Sequence, residues 1–222
     1  MTTATVSSDT KDCTYAQRVT KSLLGYGVLA GVVYMGSVLA QGLTRRGFSI
    51  AHDDASLLAN GPLGWLQVAT FLVAGAMTIA AAVGVRRALP SRWAPRQLGL
   101  YGAGLMAAGV FRADPAGGFG PGAPAGRAAH ISWHGDGHLI AASIAFIAII
   151  AACFAVARCL SRVGHRGLAI YSRITGLVFL AAFAGVTSGS ASPAIVLPFY
   201  GAITAIFAWL AIISVHLYRR VA

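Results

Sequence analysis

Two histidines spaced four residues apart are the residues of this chain best suited to chemistry. They lie in the string His134-Gly-Asp-Gly-His138, which opens a long apolar segment. If that segment is a helix, both imidazoles lie on one face, where they can share a metal ion or a proton. Asp114 lies close by in a chain that has only six acidic residues. We therefore take Asp114, His134 and His138 as the candidate catalytic residues.

A metal-dependent site would need one more ligand than this pair provides. Catalytic zinc usually has three protein ligands and one open position. His134 and His138 would bind the metal, and Asp114, His130 or His52 would complete the set. This set is similar to that of membrane zinc amidohydrolases of the ceramidase and progestin-receptor type, although residue order and helix count differ. Zinc and haem stay open as alternatives, and nothing in the sequence requires a cofactor.

The elements that must position these residues are membrane helices. The chain is 57% hydrophobic and only 10% charged, whereas soluble domains are about a quarter charged. Apolar runs of about 20 residues predict six spans, at about 22–42, 64–85, 98–114, 132–157, 169–190 and 196–216. We therefore predict an all-α, polytopic integral membrane protein, with a polar N-terminal tail over 1–21 and a six-helix bundle over 22–222.

The basic residues predict the orientation of the bundle. Of the 17 lysines and arginines, 13 fall on one side of the predicted spans, and the other four are Arg45, Arg46, Arg112 and Arg127. Cytoplasmic loops of membrane proteins are enriched in these residues. Both termini should thus be cytoplasmic, in a bacterial cell membrane. The net charge of +11 indicates topology and contact with anionic lipid, and no basic run with interleaved aromatics indicates nucleic-acid binding.

Counting the helical rise from the basic ends places several polar side chains at one depth. At about 1.5 Å per residue, Asp114, His138, Gln41, Gln67 and Tyr200 all lie about 30 Å from the basic side, near the outer hydrocarbon boundary. They either form an outward-facing pocket or act as anchors and interhelical hydrogen bonders. The residues that we expect to contact a substrate there are His52, Ser56, Trp65, Gln67, Trp133 and Tyr200.

The outer loops and the tryptophans complete the expected picture. Residues 44–61 carry Asp53 among several polar residues and are expected to form a solvated hairpin. Residues 115–126 contain five glycines and three prolines, which excludes a long helix and favours a flexible cover. Interfacial aromatic residues are expected at both ends of the bundle, namely Trp65, Trp93, Trp133 and Trp209.

Several short strings together resemble one family of membrane proteins. The strings are Arg46-Gly-Phe48, His52-Asp-Asp-Ala-Ser56, Gly61-Pro-Leu-Gly-Trp65-Leu-Gln67, Gly109-Val-Phe111-Arg-Ala-Asp114-Pro115, His134-Gly-Asp-Gly-His138 and Tyr171-Ser172-Arg-Ile-Thr175-Gly176. From about residue 22 onward the chain resembles the bacterial membrane proteins grouped as domain of unknown function 998. The resemblance implies six helices and no assigned activity. The chain departs from the family pattern at Asp53, where proline is expected, and at Leu139, where an acid is expected.

Three functions remain open from the sequence. The first is a membrane-embedded enzyme that uses Asp114, His134 and His138 for acid–base chemistry on a lipid-like or isoprenoid-like substrate. The second is a non-catalytic component that binds or transports a lipid or another hydrophobic small molecule. The third is a zinc-dependent membrane hydrolase. The expected partners are therefore membrane lipids and a hydrophobic small molecule, and the oligomeric state stays open.

Overall fold

The computed structural model describes residues 14–126 and 130–221, and within those ranges the chain is helical and has no strand. The six α-helices are α1 (Tyr15–Thr44), α2 (Gly64–Ala88), α3 (Trp93–Val110), α4 (Trp133–Arg162), α5 (Arg166–Thr187) and α6 (Pro193–Tyr218). A short 3₁₀ helix, Ala55–Ala59, lies in the connection between α1 and α2. The predicted all-α fold is therefore confirmed.

Five of the six helices are long and apolar enough to cross a membrane. The exception is α3, which is 18 residues long and carries Arg96 and Gln97 near its start. In each of the five, at least half of the most apolar window is not buried against the rest of the protein. Outward-facing side chains such as Val32, Ile140 and Ile147 are large and apolar. This combination is typical of a multi-pass membrane protein, because lipid is the solvent for that surface.

The helices form a closed ring in which each packs against the next and α6 returns to α1. Small residues allow the close approach that membrane helices need. The clearest case joins α2 and α3: a Cβ atom on Gly75 would lie 2.6 Å from the carbonyl oxygen of Gly102, and the reverse also holds. No side chain fits at either position without separating the helices.

Aromatic rings fill the middle of the ring of helices. The Tyr34 ring of α1 lies 5.9 Å from Phe71 of α2 and 4.9 Å from Phe207 of α6. Phe207 also contacts Tyr101 of α3, at 6.4 Å, and Phe71 contacts His138 of α4, at 6.3 Å. Five helices thus meet at one aromatic centre, which positions His138 in the interior.

The connections meet at two opposite ends. At one end His52 contacts Ala191, and Asn60 contacts Ala113, so the first, third and fifth connections lie together. The other end, called the basic end below, carries Arg86, Arg87, Arg92, Arg96, Arg158, Arg162, Arg166, Arg173, Arg219 and Arg220. This alternation is the up-and-down arrangement expected of successive membrane spans.

The first helix begins earlier than its apolar run. The Thr14 hydroxyl accepts a hydrogen bond from the Gln17 amide at 3.3 Å, and the Gln17 side chain accepts one from the Thr14 amide at 2.6 Å. This reciprocal capping box starts α1 at Tyr15, because it satisfies amide groups that have no partner within the helix. Residues 15–21 of the predicted N-terminal tail are therefore helical, and residues 1–13 of that tail lie outside the described residues.

Two expectations are wrong, one about the end of α3 and one about the surroundings of Trp209. The third helix ends at Val110, so Asp114 lies in the connection that follows, where Pro115 disfavours helical backbone for the residue before it. Trp209 is fully buried and donates from Nε1 to the Ser172 hydroxyl at 2.9 Å, so it is not an interfacial anchor. Trp65, Trp93 and Trp133 are exposed, as interfacial residues are.

Candidate functional site

Asp114 holds the start of α4. One carboxylate oxygen accepts from the Ser132 amide at 2.8 Å, and the other accepts from the Ser132 hydroxyl at 2.6 Å. The same hydroxyl oxygen accepts from the Gly135 amide at 3.1 Å, as an N-cap side chain does. A negative charge is favourable at this position because helix N-termini carry unsatisfied amide groups and a partial positive charge.

The two glycines of the histidine motif make room for the end of α3. A Cβ atom on Gly135 would lie 2.1 Å from an Asp114 carboxylate oxygen. A Cβ atom on Gly137 would lie 2.7 Å from the ring of Phe111. Any side chain at either position would displace these contacts. The motif therefore allows α4 to pack closely against the residues that follow α3, in addition to supplying two histidines.

His138 holds the end of α3. Its Nδ1 atom lies 2.8 Å from the carbonyl oxygens of both Ala108 and Phe111. Carbonyl oxygens only accept hydrogen bonds, so Nδ1 must carry the proton, and Nε2 keeps a lone pair in the neutral ring. The bonds satisfy carbonyls of the last turn, which have no partner within the helix. Both of these hydrogen bonds are made by Nδ1 and neither by Nε2.

His134 contacts the ring of Phe111, with centroids 6.4 Å apart, whereas His138 contacts the Phe111 carbonyl oxygen. Its ring stacks on Trp133 with a centroid separation of 3.7 Å, and its buried Nδ1 has no hydrogen-bond partner in the described part of the chain. No group of three His, Cys, Asp or Glu side chains within residues 14–126 and 130–221 is arranged to hold a metal ion. Within those residues no third protein ligand, which a catalytic zinc site takes, is brought to His134 and His138.

A buried polar cluster joins α1 and α2 at the same end of the bundle. The Gln41 amide nitrogen donates to the Gln67 side-chain oxygen at 2.9 Å and to the Ser37 hydroxyl at 3.1 Å. The Ser37 and Thr70 hydroxyl oxygens lie 2.6 Å apart. Gln67 is 0% exposed, and two amide atoms, Gln41 Oε1 and Gln67 Nε2, are buried with no hydrogen-bond partner among the described residues.

The first connection is packed, and its prediction as a solvated hairpin is wrong. Asp53 is only 4% exposed and accepts from the Ser49 amide at 2.7 Å. The Tyr200 hydroxyl donates to the Asp53 carbonyl oxygen at 2.9 Å. Burial raises the pKa of the Asp53 carboxyl, and the Ser49 amide and His52 oppose that shift. Polar composition did not reveal this burial, because loop polar groups can satisfy one another as well as water can.

Arg45 ties the first and third connections together. Its guanidinium donates to the carbonyl oxygens of Leu58 and Asn60 and lies over the Phe119 ring, with Cζ 4.8 Å from the centroid. Phe48 packs against the same ring at 5.1 Å. Burial lowers the pKa of Arg45. We call residues 45–63 and 111–126 the loop cap, since they cover this end of the bundle as one packed unit.

The predicted substrate-contacting residues do not form one group. Gln67 and Tyr200 are buried beneath the loop cap. His52 is exposed, and its Nδ1 lies 2.9 Å from the Ala191 carbonyl oxygen. Ser56 is half-buried in the 3₁₀ helix, and Trp65 and Trp133 are on the outer surface. Gln67 therefore belongs to the polar cluster, whereas Tyr200 bonds to the loop cap through Asp53.

A family model described as "Protein of unknown function (DUF998)" matches residues 28–216. The chain belongs to the DUF998 family. This confirms the resemblance inferred from the short strings. Neither a curated protein nor a solved structure matches the chain. The family assignment supplies no activity, so the function has to be argued from the residues of the site.

Sequence reasoning missed three contributors to this end of the molecule. Arg45 was seen only as a loop charge, although it binds two carbonyl groups. Ser132 was not recognised as the N-cap of α4, although serine directly before a long helix is a known signal. The unpaired amide atoms of Gln41 and Gln67 have no sequence signal, because they depend on how α1 packs against α2.

Proposed function

We propose that all six helices span a bacterial cell membrane, with the basic end, both termini and the tail over 1–21 in the cytoplasm. The segregation of charge supports this orientation. Within the described residues the four acids, Asp53, Asp54, Asp114 and Asp136, all lie at the loop-cap end. At about 1.5 Å per residue the 18 residues of α3 extend about 27 Å, close to the thickness of the hydrocarbon core.

Within that membrane we propose a non-catalytic protein that binds a lipid or another hydrophobic small molecule. One observation carries the proposal: the buried amide pair of Gln41 and Gln67 presents one unpaired acceptor and one unpaired donor. Buried polar groups without partners cost about 1 to 3 kcal/mol each. Two such groups side by side are therefore retained at a cost to stability, which is typical of a site that gains partners from a ligand.

The chemistry of the pair specifies the polar group of the ligand. Gln67 Nε2 can only donate and Gln41 Oε1 can only accept. A hydroxyl or a carboxamide satisfies both at once, whereas a carboxylic ester or an ionised phosphodiester has no hydrogen to donate. Gln67 lies one turn from Phe71, and Gln41 lies two turns from Tyr34, so the apolar part of the ligand would contact the edge of the aromatic centre.

The positions of the candidate catalytic residues favour binding over catalysis. Asp114 accepts two hydrogen bonds from Ser132 at the start of α4, and His138 donates to two carbonyls at the end of α3. Both groups therefore have structural tasks that account for their positions. A catalytic role would have to use an atom that these contacts do not occupy, such as Nε2 of His138.

The experiment compares two neutral lipids, one with a free hydroxyl and one in which a third acyl chain esterifies that hydroxyl. Dioleoylglycerol has a free hydroxyl, and in trioleoylglycerol it is esterified. In detergent micelles we expect dioleoylglycerol, but not trioleoylglycerol, to raise the melting temperature of the protein. The double variant Gln41→Leu/Gln67→Leu should fold, because both unpaired groups are removed together, and should no longer respond.

The matched control is Thr78→Val, which removes another fully buried polar group of α2. The Thr78 hydroxyl is satisfied within its own helix by the Ala74 carbonyl at 2.8 Å. This variant should respond to dioleoylglycerol as the wild type does. An equal response to both lipids, or an unchanged response of the double variant, would contradict the proposal.

Acid–base catalysis at His138 is the second candidate, and it rests on the fixed tautomer. Donation from Nδ1 leaves Nε2 as a base in the bundle interior, beside Phe71. An enzyme would convert dioleoylglycerol to a product that mass spectrometry detects after long incubation, and His138→Asn would abolish the conversion. Binding without conversion by the wild type would leave the non-catalytic proposal alone.

A further inference from the structure

A groove of ≈ 570 Å³ opens between α2 and α3 at the basic end. Three exposed arginines line it: Arg86 in the last turn of α2, Arg92 before α3 and Arg96 in the first turn of α3. Its deeper wall is apolar and includes Ile79 and Val83. Ile79, Val83 and Arg86 follow the spacing of one helix face, so the apolar wall leads directly to the charged rim.

No carboxylate in the described part of the chain neutralises these arginines. All four acids that the structure describes lie at the loop-cap end, on the far side of the bundle. The helix dipole adds a partial positive charge at the N-terminus of α3, on the same rim. The first turn of α3 contains no acidic residue that would neutralise it. Three guanidinium groups around one groove, with no counter-charge among the described residues, create a positive potential that favours an anion.

The depth of the groove matches the headgroup layer. Trp93 is 63% exposed at the start of α3, and the Arg96 guanidinium lies over its ring at 5.7 Å from the centroid. Tryptophan at the end of a membrane helix marks the interface between hydrocarbon and water. With α3 as the membrane span proposed above, the arginines lie at the level of phosphate groups, and Ile79 and Val83 lie at the level of acyl chains.

We propose that this groove binds one anionic phospholipid, with its phosphate group on Arg86, Arg92 and Arg96 and an acyl chain along Ile79 and Val83. Guanidinium groups bind phosphate through paired hydrogen bonds that lysine does not provide. Only a lipid satisfies both parts of the groove, since a free phosphate leaves the apolar wall uncovered. This site is at the opposite end of the bundle from the glutamine pair and does not depend on the function proposed for that pair.

The test measures lipid binding to the whole protein by native mass spectrometry in detergent. The probes are dioleoylphosphatidylglycerol, which is anionic, and dioleoylphosphatidylcholine, which is zwitterionic. We expect the wild type to bind the first phosphatidylglycerol molecule more tightly than phosphatidylcholine. The triple variant Arg86→Gln/Arg92→Gln/Arg96→Gln should bind that phosphatidylglycerol at least about tenfold more weakly, because each arginine near a lipid surface contributes several-fold to affinity.

The matched control is Arg87→Gln/Arg162→Gln/Arg166→Gln. These three arginines are exposed at the basic end and do not line the groove, so the control loses the same charge and should keep wild-type affinity. If the triple variant fails to fold, two single variants repeat the comparison. Arg86→Gln is then the test, and Arg87→Gln at the adjacent residue is its control. Equal weakening in test and control variants would reduce the effect to general surface charge and overturn the site.

A water-soluble probe separates the lipid from its headgroup. Glycerol 3-phosphate carries the phosphate without acyl chains, and we expect it to raise the melting temperature of the protein far less than phosphatidylglycerol does. Equal effects would mean that the apolar wall takes no part, and a phospholipid site would be excluded. Unchanged phosphatidylglycerol binding in the triple variant would also exclude this site. The lipid would then bind elsewhere, for which the groove between α5 and α6 at Arg219 and Arg220 is the alternative.

Discussion

The Asp114 carboxylate occupies the space that a side chain at Gly135 would need. A Cβ atom there would lie 2.1 Å from a carboxylate oxygen that accepts the Ser132 amide. The glycine at position 135 and the carboxylate of Asp114 are therefore parts of one structural feature. It joins the connection after α3 to the first turn of α4, and it explains why glycine separates the histidines of the motif.

This coupling predicts a non-additive pair of substitutions. Gly135→Ala should destabilise the protein by about 1 to 3 kcal/mol, because the carboxylate must move and its hydrogen bonds weaken. In an Asp114→Ala background the same change should cost much less, because the oxygen atoms are gone and alanine favours helix by up to about 1 kcal/mol. Melting temperatures of the four proteins give the interaction energy.

Gly36→Ala is the control for that cycle, since nothing lies within 4 Å of a Cβ atom at Gly36 in α1. It should be neutral or stabilising in both backgrounds. Strict additivity of Gly135→Ala and Asp114→Ala would show that the two residues do not compete for space.

Asp53 provides a prediction about pH. Burial raises the pKa of its carboxyl above the ordinary value, so the folded protein binds a proton more readily than the unfolded chain does. For an acid with a raised pKa the protonated form is favoured by folding, so the stability from this group falls as pH rises from the ordinary pKa of aspartate toward the raised one. Asp53→Asn mimics the protonated form. Its melting temperature should therefore fall less than that of the wild type over that range.

The hydrogen bond of the Asp53 carboxyl also determines which substitutions the protein tolerates at this position. An asparagine oxygen can still accept from the Ser49 amide, so Asp53→Asn should fold, whereas Asp53→Leu should be destabilised because the amide loses its partner. Parallel pH profiles for the wild type and Asp53→Asn would contradict the assigned burial of the charge.

The proposed orientation is tested by labelling single introduced cysteines in cells after Cys13, Cys153 and Cys159 are replaced. Gly122→Cys lies in the loop cap and should react with a membrane-impermeant maleimide in intact cells. Ser91→Cys lies between α2 and α3 at the basic end and should react only after permeabilisation. The reverse pattern would place the loop cap in the cytoplasm, and labelling of both sites in intact cells would contradict an odd number of spans between them.

The apolar runs were sufficient to predict the helices, because a lipid-facing helix needs about 20 apolar residues whatever it packs against. They did not predict where helices end, since ends depend on capping. Thr14 and Gln17 extend α1 into a polar segment, and α3 stops at Val110 before an apolar Phe111. Trp209 was misplaced for a different reason: its position in the sequence indicates its depth but not the face of α6 on which it lies.

The candidate site was predictable in its residues but not in their contacts. The spacing of His134 and His138 identified the start of α4, yet the atoms that each ring meets are set by the end of α3. His138 turns Nδ1 to two carbonyl oxygens, whereas His134 stacks on Trp133. Spacing along one helix carries no information about a neighbouring helix, so a shared role for the two rings could not be derived from the sequence.

His138 offers the test that separates a structural role from a chemical one. His138→Ala should lower the free energy of unfolding by about 1 to 3 kcal/mol, because the carbonyls of Ala108 and Phe111 lose their donor. Asparagine places an amide nitrogen near the position of Nδ1 and has no equivalent of Nε2. His138→Asn should therefore recover much of the lost stability, and melting temperatures of the three proteins measure that recovery.

The same variants distinguish the two functions. If the protein only binds its ligand, His138→Asn should keep the wild-type response to dioleoylglycerol, because the donor to α3 is preserved and Nε2 is not required. If Nε2 is a base, the variant should be stable and bind lipid but lose any turnover. His52→Ala is the control, since that exposed ring bonds only the Ala191 carbonyl at the surface and its loss should change stability little. Failure of asparagine to restore any stability relative to alanine would refute the capping role of Nδ1 and remove the basis for assigning the free lone pair to Nε2.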